Sequence, residues 1–285
     1  MPAFSLLVAN YNNGRFFQEC FASITAQTAA DFEVIILDDC STDDSVATIL
    51  DIIKDDSRFR FIQNDKNEGV GFTKKKLVEL SNSEIAGFID PDDALLPNAL
   101  QIMLKAHADY KDAGLIYSNY AMCDENLVQE KIKIGKQVTL LDDSYYNLNG
   151  EISHFATFKK TIYNLTFGIN PYFKIAEDKD WYIKMCEVAP AKHIDEVLYL
   201  YRVHSGGIST NKNAEKALFW HFVALINMGE RRNIDISDAF FEKFSLNGKM
   251  ANELKKEQRK IELLKKSRLL KLLYKLGLFK NYEHL

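Results

Sequence analysis

Cysteine is scarce in this chain: four in 285 residues, at Cys20, Cys40, Cys123 and Cys186. None forms a C-x-x-C pair, which argues against a zinc or dithiol site, and the spacing is too scattered for a disulfide framework, so free thiols are expected. Five prolines and 13 glycines exclude collagen-like and low-complexity classes. No apolar run approaches the ~18 residues that a bilayer-crossing helix needs. Met1-Pro2-Ala3-Phe4-Ser5 carries neither a basic stretch nor a small-residue cleavage signal, which reads as cytoplasmic. Also missing are a G-x-x-x-x-G-K-[ST] loop and a G-x-G-x-x-G turn after the first apolar run. A P-loop and a dinucleotide cofactor are therefore not expected.

What is present is an ordinary globular composition, 47% apolar and 27% charged. A chain of this length buries about three quarters of its unfolded surface and needs no covalent staples. The net charge of −4 hides an asymmetry. Residues 249–285 carry 11 Lys/Arg against 4 Glu, or +7, which leaves −11 on residues 1–248. That split marks the basic stretch as a separate functional region.

Short apolar runs alternate with helical patterns along the first hundred residues. Strands are expected over 4–9, 32–37, 58–63 and 85–89, and helices over 16–27, 45–54, 73–80 and 97–109. Alternation of this kind implies right-handed βαβ units and a mostly parallel α/β sheet with helices on both faces. Further strands are expected over 115–118, 131–139 and 197–201, as a mixed extension of that sheet. A helix opens at Glu177-Asp178, and beyond Asn213 the pattern is helical.

In open α/β sheets ligands bind outside the carboxyl ends of the strands. Three polar clusters stand there: Asn10-Tyr11, Asp38-Asp39 and Asp90-Pro91-Asp92-Asp93. Each alone is an ordinary turn, cap or loop. Together they place several carboxylates at one edge, which suits a hard divalent cation such as Mg²⁺ or Mn²⁺ that completes its shell with phosphate and water. A diphosphate substrate follows.

The ordered set Val8-Ala9-Asn10-Tyr11-Asn12, Asp38-Asp39-Cys40-Ser41-Thr42-Asp43, Asn67-Glu68-Gly69 and Asp90-Pro91-Asp92-Asp93 resembles the family 2 glycosyltransferases of GT-A fold. The likeness covers about residues 4–205. It implies an inverting transferase that moves a sugar from a nucleotide diphosphate donor, UDP-linked, to a hydroxyl of a growing glycan or lipid-linked acceptor in envelope polysaccharide synthesis. The implied donor-binding set is Ala9, Asn10, Tyr11, Asp38, Asp39, Asn67, Gly69, Lys74, Asp90 and Glu177. Asp39 accepts the uracil imide N–H, and Asp90 or Asp92 reaches the ribose. Asp92 or Asp93 carries the metal, with His204 of Tyr201-Arg202-Val203-His204 as a further ligand or diphosphate contact. Asp178 of Glu177-Asp178-Lys179-Asp180-Trp181 matches the catalytic base, and His154 is an acceptor-side candidate. Where many members have Ala-Arg-Asn after the Asn-x-Gly segment, this chain has Thr73-Lys74-Lys75; Lys74 supplies the charge without arginine's planar fork. Gly206 and Gly207 are expected to let that loop close.

The expected organisation is a catalytic domain over 1–212, with nucleotide-binding residues up to about 95, and a helical C-terminal region over 213–285. From 254 to 280 leucines recur at helical spacing among lysines. This predicts a basic amphipathic segment, either lying peripherally on the inner face of the plasma membrane or packed on protein, a homodimer included. Nucleic acid is not an expected partner, because the segment lacks interleaved aromatics and the body is acidic. Two rival readings are a nucleotidyltransferase and a non-enzymatic sugar-nucleotide scaffold.

Overall fold

Phe4, Leu6, Leu7 and Val8 are wholly buried in β1 (Phe4–Asn10), as are Val34, Ile35, Ile36 and Leu37 in β2 (Phe32–Asp38). A strand buried on both faces reads as a continuous apolar run, and this is the property of parallel strands covered by helices. β1 pairs in parallel with β2 and with β4 (Ile85–Phe88), and β2 pairs in parallel with β3 (Phe59–Gln63). The covering helices are α1 (Phe17–Thr25), α2 (Ser45–Ile53) and α3 (Val70–Leu80). These elements follow the expected order. The computed structural model describes residues 1–138, 150–206, 214–243 and 246–278. Thr139 and Gly207, which end an expected strand and an expected loop, lie outside the described residues.

The second half of the sheet is the expected mixed extension. The full order is β3-β2-β1-β4-β8-β6-β9-β5, with β7 on β6. Here β5 is Ala94–Leu95, β6 Leu115–Cys123, β7 Gln129–Lys133, β8 Ala156–Lys159 and β9 Ala191–Arg202. Only β6 and β9 run parallel; β4–β8, β6–β8, β6–β7 and β5–β9 are antiparallel. β9 is 12 residues long because it serves both β6 and β5, and so exceeds the five expected. β5 and β8 were not anticipated, since two and four residues are too short to show a period.

α4 (Ala99–Asp109) starts two residues after Pro97, because Leu96-Pro97-Asn98 closes a turn in which Ala99 N donates to Leu96 O at 3.0 Å. A short helix, α5 (Lys160–Tyr163), follows β8. α6 (Glu177–Cys186) then buries Trp181, which packs on Phe158 at 5.0 Å, Tyr182 at 4.5 Å and Phe88 at 6.1 Å. Burial of each such ring contributes about 1.5–3 kcal/mol. α7 (Ala214–Arg232) meets this region through Trp220 against Phe173 at 5.1 Å and an Arg231–Glu187 ion pair at 2.8 Å.

Residues Met1–Arg232 form one compact unit and Asn233–Leu285 another. The second contains α8 (Ser237–Lys243), α9 (Leu246–Lys266) and α10 (Arg268–Lys275). Among the described residues no helix is long and apolar enough to cross a membrane.

Candidate active site

Parallel register sets Asn10 beside Asp38 and Asp38 beside Gln63. Asp38 is wholly buried and accepts from Asn10 Nδ2 at 2.7 Å, Ser41 N at 2.8 Å, Ser41 Oγ at 2.5 Å and Gln63 Nε2 at 3.3 Å. It is the knot of the turn after β2. Asp39 reaches the other way: Oδ1 accepts from Asn64 Nδ2 and Glu68 N, both at 2.9 Å, and Oδ2 from Gly69 N at 2.7 Å. Gly69 has φ of +93°, where a side chain would be strained, and so presents its N–H to the carboxylate freely. Hydrogen bonds to a charged group are worth about 1.5–3 kcal/mol each. Asp39 therefore fixes the Asn67-Glu68-Gly69 turn. Asn67 is exposed in that turn, Tyr11 is exposed just past β1, and Ala9 is half-buried.

The acidic loop after β4 is divided in the same manner. Asp93 is buried, accepting from Tyr199 Oη at 2.6 Å and from Arg202 N at 2.7 Å. Burial, with the Asp92 and Asp90 charges, pushes its pKa well above the ordinary carboxylate value. Asp92 stands nearer the surface, its Oδ2 2.8 Å from His204 Nε2. Because Gly206 N donates to His204 Nδ1 at 3.2 Å, the Nε2 of a neutral ring carries the proton and donates to Asp92. Arg202 fastens the loop from behind, Nε donating to Asp92 O at 2.6 Å and Nη1 to Glu125 O at 2.5 Å. Phe16 supports both neighbours, its ring 4.7 Å from that of His204 and 4.6 Å from the Arg202 guanidinium carbon.

Lys74, on α3, joins this loop to α6. Its Nζ donates to Glu177 Oε1 at 2.7 Å and lies 3.7 Å from Asp90 Oδ1. Burial alone would lower the ammonium pKa, but the Glu177, Asp90 and Asp178 carboxylates more than offset it and hold it well above the usual lysine value. Asp178 is half-buried, its Oδ1 accepting from Lys179 N at 2.8 Å. Burial pushes that carboxyl up, yet Lys179, Lys74, His154 and the Lys179 N–H together bring it below the ordinary aspartate value. Asp178 is thus ionised at neutral pH. Lys74, Asp90, His154, Asp178, Trp181 and Tyr199 line one cleft. His154 stacks between Tyr199 at 4.8 Å and Tyr201 at 5.4 Å. A wider depression, lined by Phe32, Arg58 and Asn82, opens at the amino ends of the strands and holds no motif residue.

Two spacings behind the cleft are set by main chain. Ala176, the residue before α6, is left-handed at φ 60°, which turns the chain into the helix. A Cβ on Gly71 would lie 2.5 Å from Asn170 O and 2.8 Å from Phe173 O, so α3 approaches the segment leading to α6 as closely as a backbone can.

Several contributors escaped the sequence reading. Asn64 is buried, donates to Asp39 and accepts from Lys76 Nζ at 2.8 Å; as the residue just past β3, it obeys the rule that found the others. Tyr199 offered no such signal, and Arg202 stood only within the Tyr201-Arg202-Val203-His204 segment with no role assigned; both are strand residues whose role depends on a distant loop. Asp180 faces away from the cleft, fully buried, with Lys184 Nζ at 2.6 Å.

A divalent cation has a place only in part. Among the described residues no group of three or more His, Cys, Asp or Glu is arranged to hold one. Asp92 nevertheless presents an oxygen, with Asp90 two residues away, and His204 adds its Nε2 only in the other tautomer, which gives up the Gly206 contact; this fits a cation that takes most of its ligands from phosphate and water.

Comparison with known proteins extends the geometry. The chain is 30% identical over 214 residues to the chondroitin synthase of Escherichia coli, covering 74% of this chain and 30% of that protein, so it spans about a third of that relative's length. In structure it resembles S. aureus TarS 1-349 in complex with UDP-GlcNAc (TM-score 0.64, 18% identity, 84% of this chain and 69% of that one). It also resembles the mannosyltransferase PcManGT from Pyrobaculum calidifontis in complex with GDP-Man and Mn²⁺ (TM-score 0.64, 16% identity, 99% and 82%). These likenesses establish the GT-A-like fold, a mixed sheet covered by helices. With residues 5–167, more than half of the chain, matching the model for glycosyl transferase family 2, the chain belongs to that family of glycosyltransferases.

Proposed function

We propose that the chain transfers a sugar, with inversion, from a nucleotide diphosphate donor to a hydroxyl of a growing glycan or lipid-linked acceptor. The observation that carries this reading is the convergence of three separately encoded elements on one cleft: Lys74 from α3, Asp90 from the loop after β4, and Asp178 at the start of α6. An ionised carboxylate, a buried cation and a largely buried acidic loop with Asp90 and Asp92 at its open side are what an in-line displacement at an anomeric carbon uses.

Asp178 takes the proton of the acceptor hydroxyl as its oxygen bonds to the anomeric carbon, and the bond from that carbon to the diphosphate oxygen breaks, releasing the nucleoside diphosphate. A depressed pKa does not disqualify this base, because the hydroxyl becomes acidic only as its oxygen bonds to the sugar. Glu177 is committed to Lys74 and Asp180 to Lys184, so of the three acids opening α6 Asp178 alone lines the cleft. Lys74 lies where the leaving diphosphate needs positive charge. Asp92 and His204 would hold a divalent cation, whose chemistry when bound is to neutralise developing phosphate charge. Asp93 and Asp38 act as struts in this scheme, their carboxylates absorbed by protein donors.

Support for UDP comes from Asp39, with exposed Tyr11 and half-buried Ala9 around the end of the adjoining β1, and from the UDP-GlcNAc of one structural neighbour. The chondroitin synthase relative favours a glycan acceptor. The test is to incubate the protein with UDP-, GDP- and TDP-sugars, Mn²⁺ and glycan or lipid-linked acceptors, measuring nucleotide and pyrophosphate release. Free UDP is expected. Pyrophosphate would indicate a nucleotidyltransferase, and binding without any turnover a scaffold.

A further inference from the structure

Residues 263–278 contain eight leucines, five Lys/Arg and no Asp or Glu. Ser267 breaks the helix there, its Oγ accepting from Leu270 N at 3.4 Å as the cap of α10, and Gly277 at φ +69° ends it. At about 100° per residue, Leu269, Leu272, Leu273 and Leu276 share an arc of about 100°, while Arg268, Lys271 and Lys275 share one of about 60° on the remaining face. The apolar arc is largely uncovered: Leu269 is 64% exposed, Leu272 54% and Leu276 61%, with Leu273 half-buried. Leu263, before the break, is 69% exposed.

We propose that this segment binds an anionic lipid surface, its leucine arc entering the boundary between headgroups and acyl chains and its basic arc facing the headgroups. Charge singles out this occupant. A helix solvated on its polar face, or packed on another protein, ordinarily mixes both signs, whereas here every charge over sixteen residues is positive. Pairing with the same segment of a second copy would cover the leucines but leave the clustered cations without a counter-charge. An anionic surface instead satisfies both arcs at once, each Lys or Arg near it contributing about 1 kcal/mol and the buried leucines the remainder. The proposal is independent of the sugar-transfer reading, since none of the cleft residues belongs to the segment.

The experiment is vesicle flotation of the full chain, with vesicles of phosphatidylcholine alone and of equal parts phosphatidylcholine and phosphatidylglycerol, at low and high salt. Wild type is expected to float with the mixed vesicles at low salt and to be largely released by high salt. Leu272→Asp with Leu276→Asp should abolish flotation. Lys271→Gln with Lys275→Gln, which keeps good helix formers, should weaken it roughly 30-fold, as two charges of ~1 kcal/mol each require. The glutamine pair decides the matter if the aspartate pair loses helix by circular dichroism. Failure of wild type to bind mixed vesicles, or undiminished binding by the glutamine pair, overturns the proposal. So does a dimer in light scattering that the aspartate pair dissociates without vesicles, which would make a second copy the occupant.

Discussion

After β2, both aspartates are tied to donors of the protein itself, seven hydrogen bonds between Asp38 and Asp39, and the turn they make is rigid. After β4, only Asp93 is absorbed in this way; Asp92 has one histidine partner, and Asp90 has a lysine at 3.7 Å. The first region is a finished surface against which a flat group can rest. The second is electrostatically unfinished, with adjacent carboxylates whose mutual repulsion is relieved by added positive charge. Acidic motifs at one sheet edge can thus divide the work, one for shape and one for charge.

The largest expected effect tests the group that neither motif supplies. Asp178→Asn should lower turnover ~10²–10⁴-fold with donor affinity unchanged, since the amide keeps the shape but accepts no proton. Turnover and donor affinity measured on one preparation settle it; near-normal turnover would reduce Asp178 to a helix-start residue.

Next in size is Lys74→Met, which leaves Glu177 buried without its cation and should cost about 3–5 kcal/mol of stability. The sign of its pH dependence follows from the raised lysine pKa. Stability due to Lys74 is complete below the ordinary value of 10.5 and is lost as pH climbs through the elevated one, so the deficit should stay constant from about pH 7 to 10 and shrink above. Urea denaturation across that range measures it, and a deficit already shrinking near pH 8 would contradict the assignment.

The comparison itself is sharpened by Asp93→Asn against Asp92→Asn. The first should cost ~1–3 kcal/mol in thermal unfolding, because an amide nitrogen replaces one of the two buried oxygens that accept from Tyr199 Oη and the Arg202 N–H. The second should unfold nearly as wild type and instead lose the Mn²⁺ dependence of UDP binding in calorimetry. A reversal of these two outcomes would place the cation on Asp93. The smallest change in function is expected from Asp39→Asn, which also costs stability by turning an amide donor toward the Glu68 and Gly69 N–H groups. It should narrow the preference for UDP over CDP by about tenfold, roughly 1.4 kcal/mol. An unchanged ratio would leave Asp39 only its role in the turn.

The parallel half of the fold was legible in the sequence because strands buried on both faces spell continuous apolar runs, and polar residues at their carboxyl ends stand out against them. The antiparallel half was not. β8 has four residues and β5 two, and the pairing of β9 with two partners leaves no local pattern. The site shows the same boundary. Asp90, Asp92 and Asp93 could be named from the sequence, but their separate duties follow from Tyr199, Arg202 and His204, more than a hundred positions away. No local spacing encodes which of three neighbouring carboxylates a distant strand will claim.

Gly71 carries a consequence for redesign. With α3 held against the carbonyls at 170 and 173, the interval between the Lys74 side and the Asp178 side of the cleft is a main-chain dimension, indifferent to which side chains fill it. Cleft side chains can therefore be exchanged in bulk while Lys74 and Asp178 keep their separation. Even Gly71→Ala, by one methyl group, would pry the two sides apart, and a library built around this cleft should leave that position unvaried.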